Sequence, residues 1–139
     1  MAQKKIVVDT NIFLEFLLKQ QQQEECLDLL LNIERGAIEA HITSFSLHGI
    51  EVLLDKRNKT ELLEQFLGRV IQARGLKVYQ TSPQEEKDIA ALANKIGLDF
   101  DDALQYYVAR TLGAALVSFD KDFDRTDIKR ITPLEAMAP

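Results

Sequence analysis

Residues 6–11 read IVVDTN, and this stretch decides how the rest of the chain is interpreted. Three apolar residues, all of them β-branched and two of them valine, run directly into Asp9, and residues 12–18 then have a helical pattern. A short run that is apolar throughout is typical of a strand buried on both faces of a parallel sheet. Ligands of such sheets bind at the carboxyl ends of the strands. We therefore expect Asp9 at a candidate site, although a simpler interpretation is that Asp9 or Thr10 only caps the helix.

The composition is that of one globular domain, which we expect to span residues 1–139. Hydrophobic residues make up 46% of the chain and charged residues 28%, so a sizeable core is available. The single cysteine, Cys26, excludes an internal disulfide and favours a reducing compartment. No stretch has the pattern of a signal peptide or a membrane span, so a cytoplasmic location is predicted. The formal net charge of −5 argues against nonspecific coating of nucleic acid.

Strand and helix signals alternate along the whole sequence. Short strands are predicted at residues 6–8, 38–43, 76–79, 115–119 and 128–132, with helical patterns between them. The clearest helix start is Ser82-Pro83-Gln84-Glu85, a cap followed by proline and then by a glutamate at the third position. This alternation predicts an α/β fold, a three-layer sandwich with a central, mostly parallel sheet of about five short strands flanked by helices.

Carboxylates occur at four places: after two of the strands, just before one helix and within another helix. Asp9 follows the first strand, and Asp120 follows the fourth strand two residues after Ser118. Because parallel strands end at the same edge of a sheet, both should emerge there. Asp99, Asp101 and Asp102 precede the helix that begins near residue 103, and Glu51 lies seven residues, about two turns, beyond Ser44.

Each acid also has a simpler interpretation. Asp102 could cap its helix, Asp120 could belong to a solvated turn with Asp122, and Glu51 could face solvent. Convergence of all four would be costly, since each pair at ~5 Å and an effective dielectric of ~20 repels by roughly 3 kcal/mol. Such a cluster takes up protons or binds cations. Ligation by oxygen alone favours Mg²⁺ or Mn²⁺, and the two histidines lack the spacing of a zinc site.

Four motifs together resemble one family. Residues 7–12 (VVDTNI) look like the opening of PIN-domain nucleases, and residues 49–53 (GIEVL) resemble a motif from the middle of that domain. Residues 99–105 (DFDDALQ) and 116–123 (LVSFDKDF) resemble its two C-terminal motifs. Their order and separations fit over essentially the whole chain. Where the family most often has threonine two residues before the last acid, this chain has Ser118.

The resemblance implies a metal-dependent ribonuclease, often the VapC-like toxin of a bacterial toxin–antitoxin pair. It implies hydrolysis of single-stranded RNA by metal-activated water, with Mg²⁺ or Mn²⁺ as cofactor, an antitoxin as a possible partner and a homodimer as the assembly. Asp101 could share the metal site, and Asp122 could stand in for Asp120. By position, the catalytic and metal-binding acids would be Asp9, Glu51, Asp102 and Asp120, supported by Asn11, Ser118 and Asp99.

Substrate phosphates should contact basic residues that flank the acids. The densest basic run comprises Lys56, Arg57 and Lys59, which could also be only a solvated turn. A second, weaker candidate group is Arg125, Lys129 and Arg130.

Two other classes of function remain as alternatives. One is a catalytically silent PIN-like module that binds RNA or a protein. The other is a Mg²⁺-dependent phosphatase-like α/β enzyme, which would favour a second aspartate where the chain has Asn11.

Overall fold

The fold is organised around a central five-stranded sheet, as seen in a computed structural model that describes residues 5–139. The strands lie in the order β3-β2-β1-β4-β5, and all four pairings are parallel. The predicted fold class is therefore confirmed. The strands are β1 (Lys5–Val8), β2 (Glu39–Thr43), β3 (Leu76–Tyr79), β4 (Ala115–Val117) and β5 (Arg130–Ile131).

In the part of the chain that the structure describes, six α-helices and one 3₁₀ helix connect these strands, and a seventh α-helix follows β5. None of the helices between residues 5 and 139 is both long enough and apolar enough to cross a membrane. The α-helices are α1 (Thr10–Leu17), α2 (Gln23–Glu34), α3 (Ser44–Lys56), α4 (Thr60–Gln72), α5 (Pro83–Ile96), α6 (Phe100–Leu112) and α7 (Pro133–Met137), and the 3₁₀ helix is Lys121–Arg125.

The two faces of the sheet are covered by two separate apolar cores. In β1, Ile6 and Val8 belong to the core formed with α1 to α4, whereas Val7 belongs to the core formed with α5 and α6. Successive side chains of a strand point to opposite faces, so one short apolar run supplies both cores. This explains why residues 6–8 are apolar throughout and why β1 lies at the centre of the sheet.

Helix starts place polar groups at the carboxyl edge of the sheet. The predicted capping box at Ser82 is present, with Ser82 Oγ accepting from the Glu85 N–H. At α3, Thr43 is the cap, because its Oγ1 accepts from the Ser46 N–H at 3.0 Å. Asp9 occupies the cap position of α1, but its side chain makes no capping bond there. Its carboxylate is therefore left for other partners.

Candidate active site

Asp9 is the most buried of the acids that the sequence places at the sheet edge. Only 4% of its surface is exposed. Its Oδ2 accepts a 2.6 Å hydrogen bond from the Ser118 hydroxyl, and Ser118 Oγ accepts from the Asp120 N–H at 3.0 Å. The ends of β1 and β4 are thus joined, because the two strands are paired and end side by side. Ser118 lies where the sequence predicts a polar support, whereas Asn11 is exposed in the first turn of α1.

The start of α6 brings three more aspartates to this edge. Asp99 is the helix cap, with its Oδ1 accepting from the Asp102 N–H at 3.0 Å. The capping role considered for Asp102 therefore belongs to Asp99, and the Asp102 side chain is free for the site. Asp101 lies in the same first turn and is partly buried.

Carboxylate oxygens from three residues lie close enough together to share a cation. One ligand atom each from Asp102, Asp120 and Asp122 lies within 4.8 Å of the other two. Asp120 and Asp122 are held by the turn that begins the 3₁₀ helix, since Asp120 Oδ1 accepts from the Asp122 N–H at 2.9 Å. Asp122 therefore joins Asp120 in this group; it does not replace it.

The electrostatics of the site show that these acids repel one another. Burial, opposed in part by the Ser118 hydrogen bond, raises the pKa of Asp9 to about 6, and the charges of Asp101 and Asp120 add to the rise. Burial raises the pKa of Asp102 to about 7, helped by the nearby charges of Asp99, Asp120, Asp9 and Asp101. An acid that resists ionisation near neutral pH, beside others like it, is typical of a functional site.

Glu51 is not brought to this group. Its Oε1 contacts His48 Nδ1 at 3.0 Å, and its charge is not among the main causes of the raised pKa of Asp9 or of Asp102. The reason is the rotation of α3 about its own axis, which directs Ser46 towards Thr10, the residue after Asp9. Five residues later on a helix, Glu51 is rotated by about 140° from Ser46. The structure therefore unites Asp9, Asp102 and Asp120 of the predicted quartet, and places Glu51 on another side of α3.

A buried polar network supports the acids, and the sequence analysis did not identify it. Ser46 Oγ accepts hydrogen bonds from Thr10 Oγ1 at 2.6 Å and from Gln105 Nε2 at 2.7 Å. Gln105, fully buried in α6, also donates to Thr43 Oγ1 at 3.2 Å and to Asp101 Oδ1 at 3.4 Å. The network connects α1, α3 and α6. A signal was available, because Gln105 interrupts an apolar helix four residues after Asp101 and so shares its face.

The predicted basic contacts lie away from the acids. Lys56, Arg57 and Lys59 are exposed at the end of α3 and the start of α4. Lys56 is ten residues beyond Ser46, about 15 Å along the helix axis. Arg130, from the second group, lies closer: it donates to the Ser118 carbonyl at 3.0 Å and forms a two-point ion pair with Asp124.

The chemistry of the donor set fits a divalent cation that prefers oxygen. The acids at the edge offer carboxylate oxygens from several chain segments, with neither sulfur nor histidine among the three that converge. Hard cations such as Mg²⁺ and Mn²⁺ favour such ligands. Their positive charge would also offset the burial and the like-charge repulsion that raise the pKa values of Asp9 and Asp102.

Comparison with solved structures shows the same fold in three proteins of low sequence identity. The VapC20 toxin of Mycobacterium tuberculosis, described as cleaving the sarcin–ricin loop, aligns with a TM-score of 0.75 at 16% identity, over 92% of this chain and 99% of that one. The VapBC2 complex of Rickettsia felis, bound to a DNA fragment of its promoter, gives 0.67 at 17% identity over 92% and 98% of the two chains. A toxin–antitoxin complex from Klebsiella pneumoniae gives 0.66 at 17% identity over 92% and 97%.

Among curated proteins, no relative matches the chain. The family model of the PIN domain, however, matches residues 6–129, from the first strand to the residue before the last strand. This range includes every acid of the group at the sheet edge. Together with the parallel sheet of five strands, the match establishes that the chain belongs to the PIN-domain family.

Proposed function

We propose that this protein is a Mg²⁺- or Mn²⁺-dependent endoribonuclease that hydrolyses phosphodiesters of single-stranded RNA. The observation that carries the proposal is the convergence of Asp102, Asp120 and Asp122 within 4.8 Å, beside the buried Asp9. Like charges brought together beside a buried carboxylate are costly, and a bound cation is the simplest compensation. Membership of the PIN-domain family supports nuclease activity.

Asp9, Asp102 and Asp120 would hold the cation, with Asp122 and Asp101 as further oxygen donors. A divalent cation in such a site supplies Lewis acidity, lowering the pKa of water and neutralising charge that develops on a phosphate. The protein's own contribution is to fix the ligands. Ser118 orients Asp9 through its 2.6 Å hydrogen bond, and Gln105 donates to Asp101. Such supporting contacts matter because a ligand held in one orientation binds without further ordering.

We further propose that the protein is the toxin of a toxin–antitoxin pair. Support comes from the solved structures that share its fold, two of which are complexes of a toxin with its antitoxin. The predicted homodimer and the RNA contacts of Lys56, Arg57 and Lys59 belong to the same proposal. Exposed apolar side chains such as Val52 on α3 are compatible with a protein partner.

A second candidate function is a catalytically silent module that binds RNA or a protein. The position of Glu51 favours it, because the acid group lacks one member that the family resemblance implies.

A cleavage assay distinguishes these candidates. Mixed-sequence RNA is incubated with the protein in Mn²⁺, in Mg²⁺ and in EDTA, beside the variants Asp9→Asn and Glu51→Gln. We expect cleavage only with metal, a loss of about a hundredfold or more in Asp9→Asn, and activity within a few fold of wild type in Glu51→Gln. Cleavage in EDTA, or an Asp9→Asn variant as active as wild type, would refute the mechanism. A correctly folded protein that binds RNA and never cuts it would support the silent module.

A further inference from the structure

An aromatic pair lies at the same edge of the sheet as the acid group and is partly open to solvent. Phe45, in the first turn of α3, is 39% exposed. Its ring packs against Phe100, in the first turn of α6, with centroids 5.6 Å apart and planes at 63°. In such an edge-to-face arrangement the partner ring covers only part of each aromatic surface. Phe45 is the only aromatic residue among the exposed large hydrophobic side chains of residues 5–139, the others being aliphatic.

Both rings are tied to the acid group through their chain neighbours. Phe45 precedes Ser46, which bonds to Thr10, the residue after Asp9. Phe100 lies between Asp99 and Asp101, two residues before Asp102. The pair is therefore fixed at the same sheet edge as the carboxylates.

We propose that Phe45 and Phe100 form a platform on which an unpaired nucleobase of the substrate stacks. This inference rests on the proposed nuclease function, and it names what the site selects: a single strand whose bases are free. A base stacks on an aromatic ring through its flat face, whatever the sequence, and bases inside a duplex cannot offer that face.

The charge distribution explains why such a platform is useful here. The protein carries a formal net charge of −5, and the acid group adds negative charge at the site, so a phosphate is repelled there unless a cation is bound. The basic run at the end of α3 lies about 15 Å from Ser46 along the helix axis. Stacking adds attraction close to the site without adding charge.

The chain has no tryptophan, so Phe45→Trp introduces a single fluorescent reporter at the platform. The full-length variant is titrated, with Ca²⁺ in place of Mg²⁺, with a 12-nucleotide single-stranded RNA and with the same RNA as a duplex. The matched control is Val52→Trp, two turns further along α3 and 53% exposed. We expect the single strand to quench emission from position 45 strongly, the duplex to quench it weakly, and position 52 to respond weakly to both.

Kinetics with Mg²⁺ test the same platform independently. Phe45→Leu keeps an apolar side chain and removes the ring, and we expect its KM for single-stranded RNA to rise about 5- to 100-fold, with kcat within about twofold of wild type. Phe45→Tyr should restore the wild-type KM. Thermal unfolding of both variants checks that the fold is kept.

The outcomes separate this proposal from the nuclease proposal. Cleavage by Phe45→Trp with unchanged fluorescence, equal quenching by the duplex, or equal quenching at position 52 would each overturn the platform and leave the nuclease intact. Quenching by the single strand in Ca²⁺, together with no cleavage by wild type in Mg²⁺ or Mn²⁺, would support the platform and refute the nuclease.

Discussion

The two edges of the sheet treat their acidic residues in opposite ways. At the amino edge two acids have a cation beside them: Glu39, the first residue of β2, contacts Lys77 at 3.1 Å, and Glu34 contacts Arg69 at 2.6 Å. The hydrogen bond from Lys77 lowers the pKa of Glu39. These are ordinary surface ion pairs.

At the carboxyl edge the acids face one another. None of the ion pairs found among residues 5–139 includes Asp9, Asp101, Asp102, Asp120 or Asp122. Burial and like charge raise the pKa of Asp102 to about 7. The same type of group is thus stabilised at one edge and destabilised at the other. Such a local conflict is expected where a protein keeps a site for a ligand.

The largest expected effect is on stability without metal. In EDTA at pH 7.5, Asp9→Asn should be more stable than wild type by up to about 3 kcal/mol, the value of a pKa raised from 3.8 to about 6. Because the folded state binds this proton more tightly than the unfolded state, the penalty grows as pH rises from about 4 to 6. The difference between the two proteins should therefore shrink as pH is lowered towards 4, as measured by urea denaturation.

Added Mg²⁺ provides the control for this experiment. At a concentration of about 1,000 times its dissociation constant it should stabilise wild type by about 4.1 kcal/mol and Asp9→Asn far less, reversing their order at pH 7.5. A wild type that remains more stable than the variant in EDTA at every pH would show that Asp9 is not under electrostatic strain.

The next effect tests whether the Ser118 hydrogen bond orients Asp9 at the carboxyl edge. Ser118→Ala removes the 2.6 Å hydrogen bond to Asp9, and we expect a tenfold to hundredfold loss of metal affinity or of cleavage rate. Ser118→Thr keeps the hydroxyl and should be close to wild type. Calorimetric titration with Mn²⁺ measures the affinity directly. Equal affinity in all three proteins would mean that the Ser118 hydroxyl is not needed to orient Asp9.

A smaller effect is expected at Gln105. Gln105→Leu keeps the volume but removes the donor to Ser46, Thr43 and Asp101, and should lower the free energy of unfolding by about 1–2 kcal/mol. It should also reduce cleavage through kcat more than through KM, since α6 would no longer be tied to α3. Unfolding and steady-state kinetics measure the two parts. A stability loss with unchanged kcat would limit Gln105 to a structural role.

The smallest effect should come from the amino edge. Glu39→Gln breaks an exposed ion pair, so stability should change little, and the small change should be a loss. Addition of salt should reduce that loss further, because exposed pairs are screened. Denaturation at low and at high ionic strength measures it. A gain in stability would erase the contrast between the two edges.

Much of the fold could be predicted from the sequence because the signals are local. The apolar run at residues 6–8, the capping box at Ser82 and the left-handed glycine that ends α5 at Gly97 each depend on neighbouring residues alone. They were enough to predict the alternating pattern and the parallel sheet. The boundaries were predicted less well: strands were expected at residues 115–119 and 128–132, whereas β4 ends at Val117 and β5 comprises only Arg130–Ile131.

The candidate site was predictable only in part. Asp9 and Asp120 follow paired strands, so strand order alone brings them to one edge. The direction of the Glu51 side chain depends on the rotation of α3 about its axis, which is set by packing and by the Ser46 hydrogen bonds. The grouping of Asp122 with Asp102 likewise depends on how the 3₁₀ helix meets α6.

The sequence by itself determined the order of strands and helices along the chain, the family, and which acids follow strands. Each of these depends on residues that are neighbours in the sequence. Only the tertiary structure decided which acids share a cation site and which aromatic rings accompany them. Those choices depend on helix rotation and on contacts such as Gln105 with Ser46, which join residues 59 positions apart.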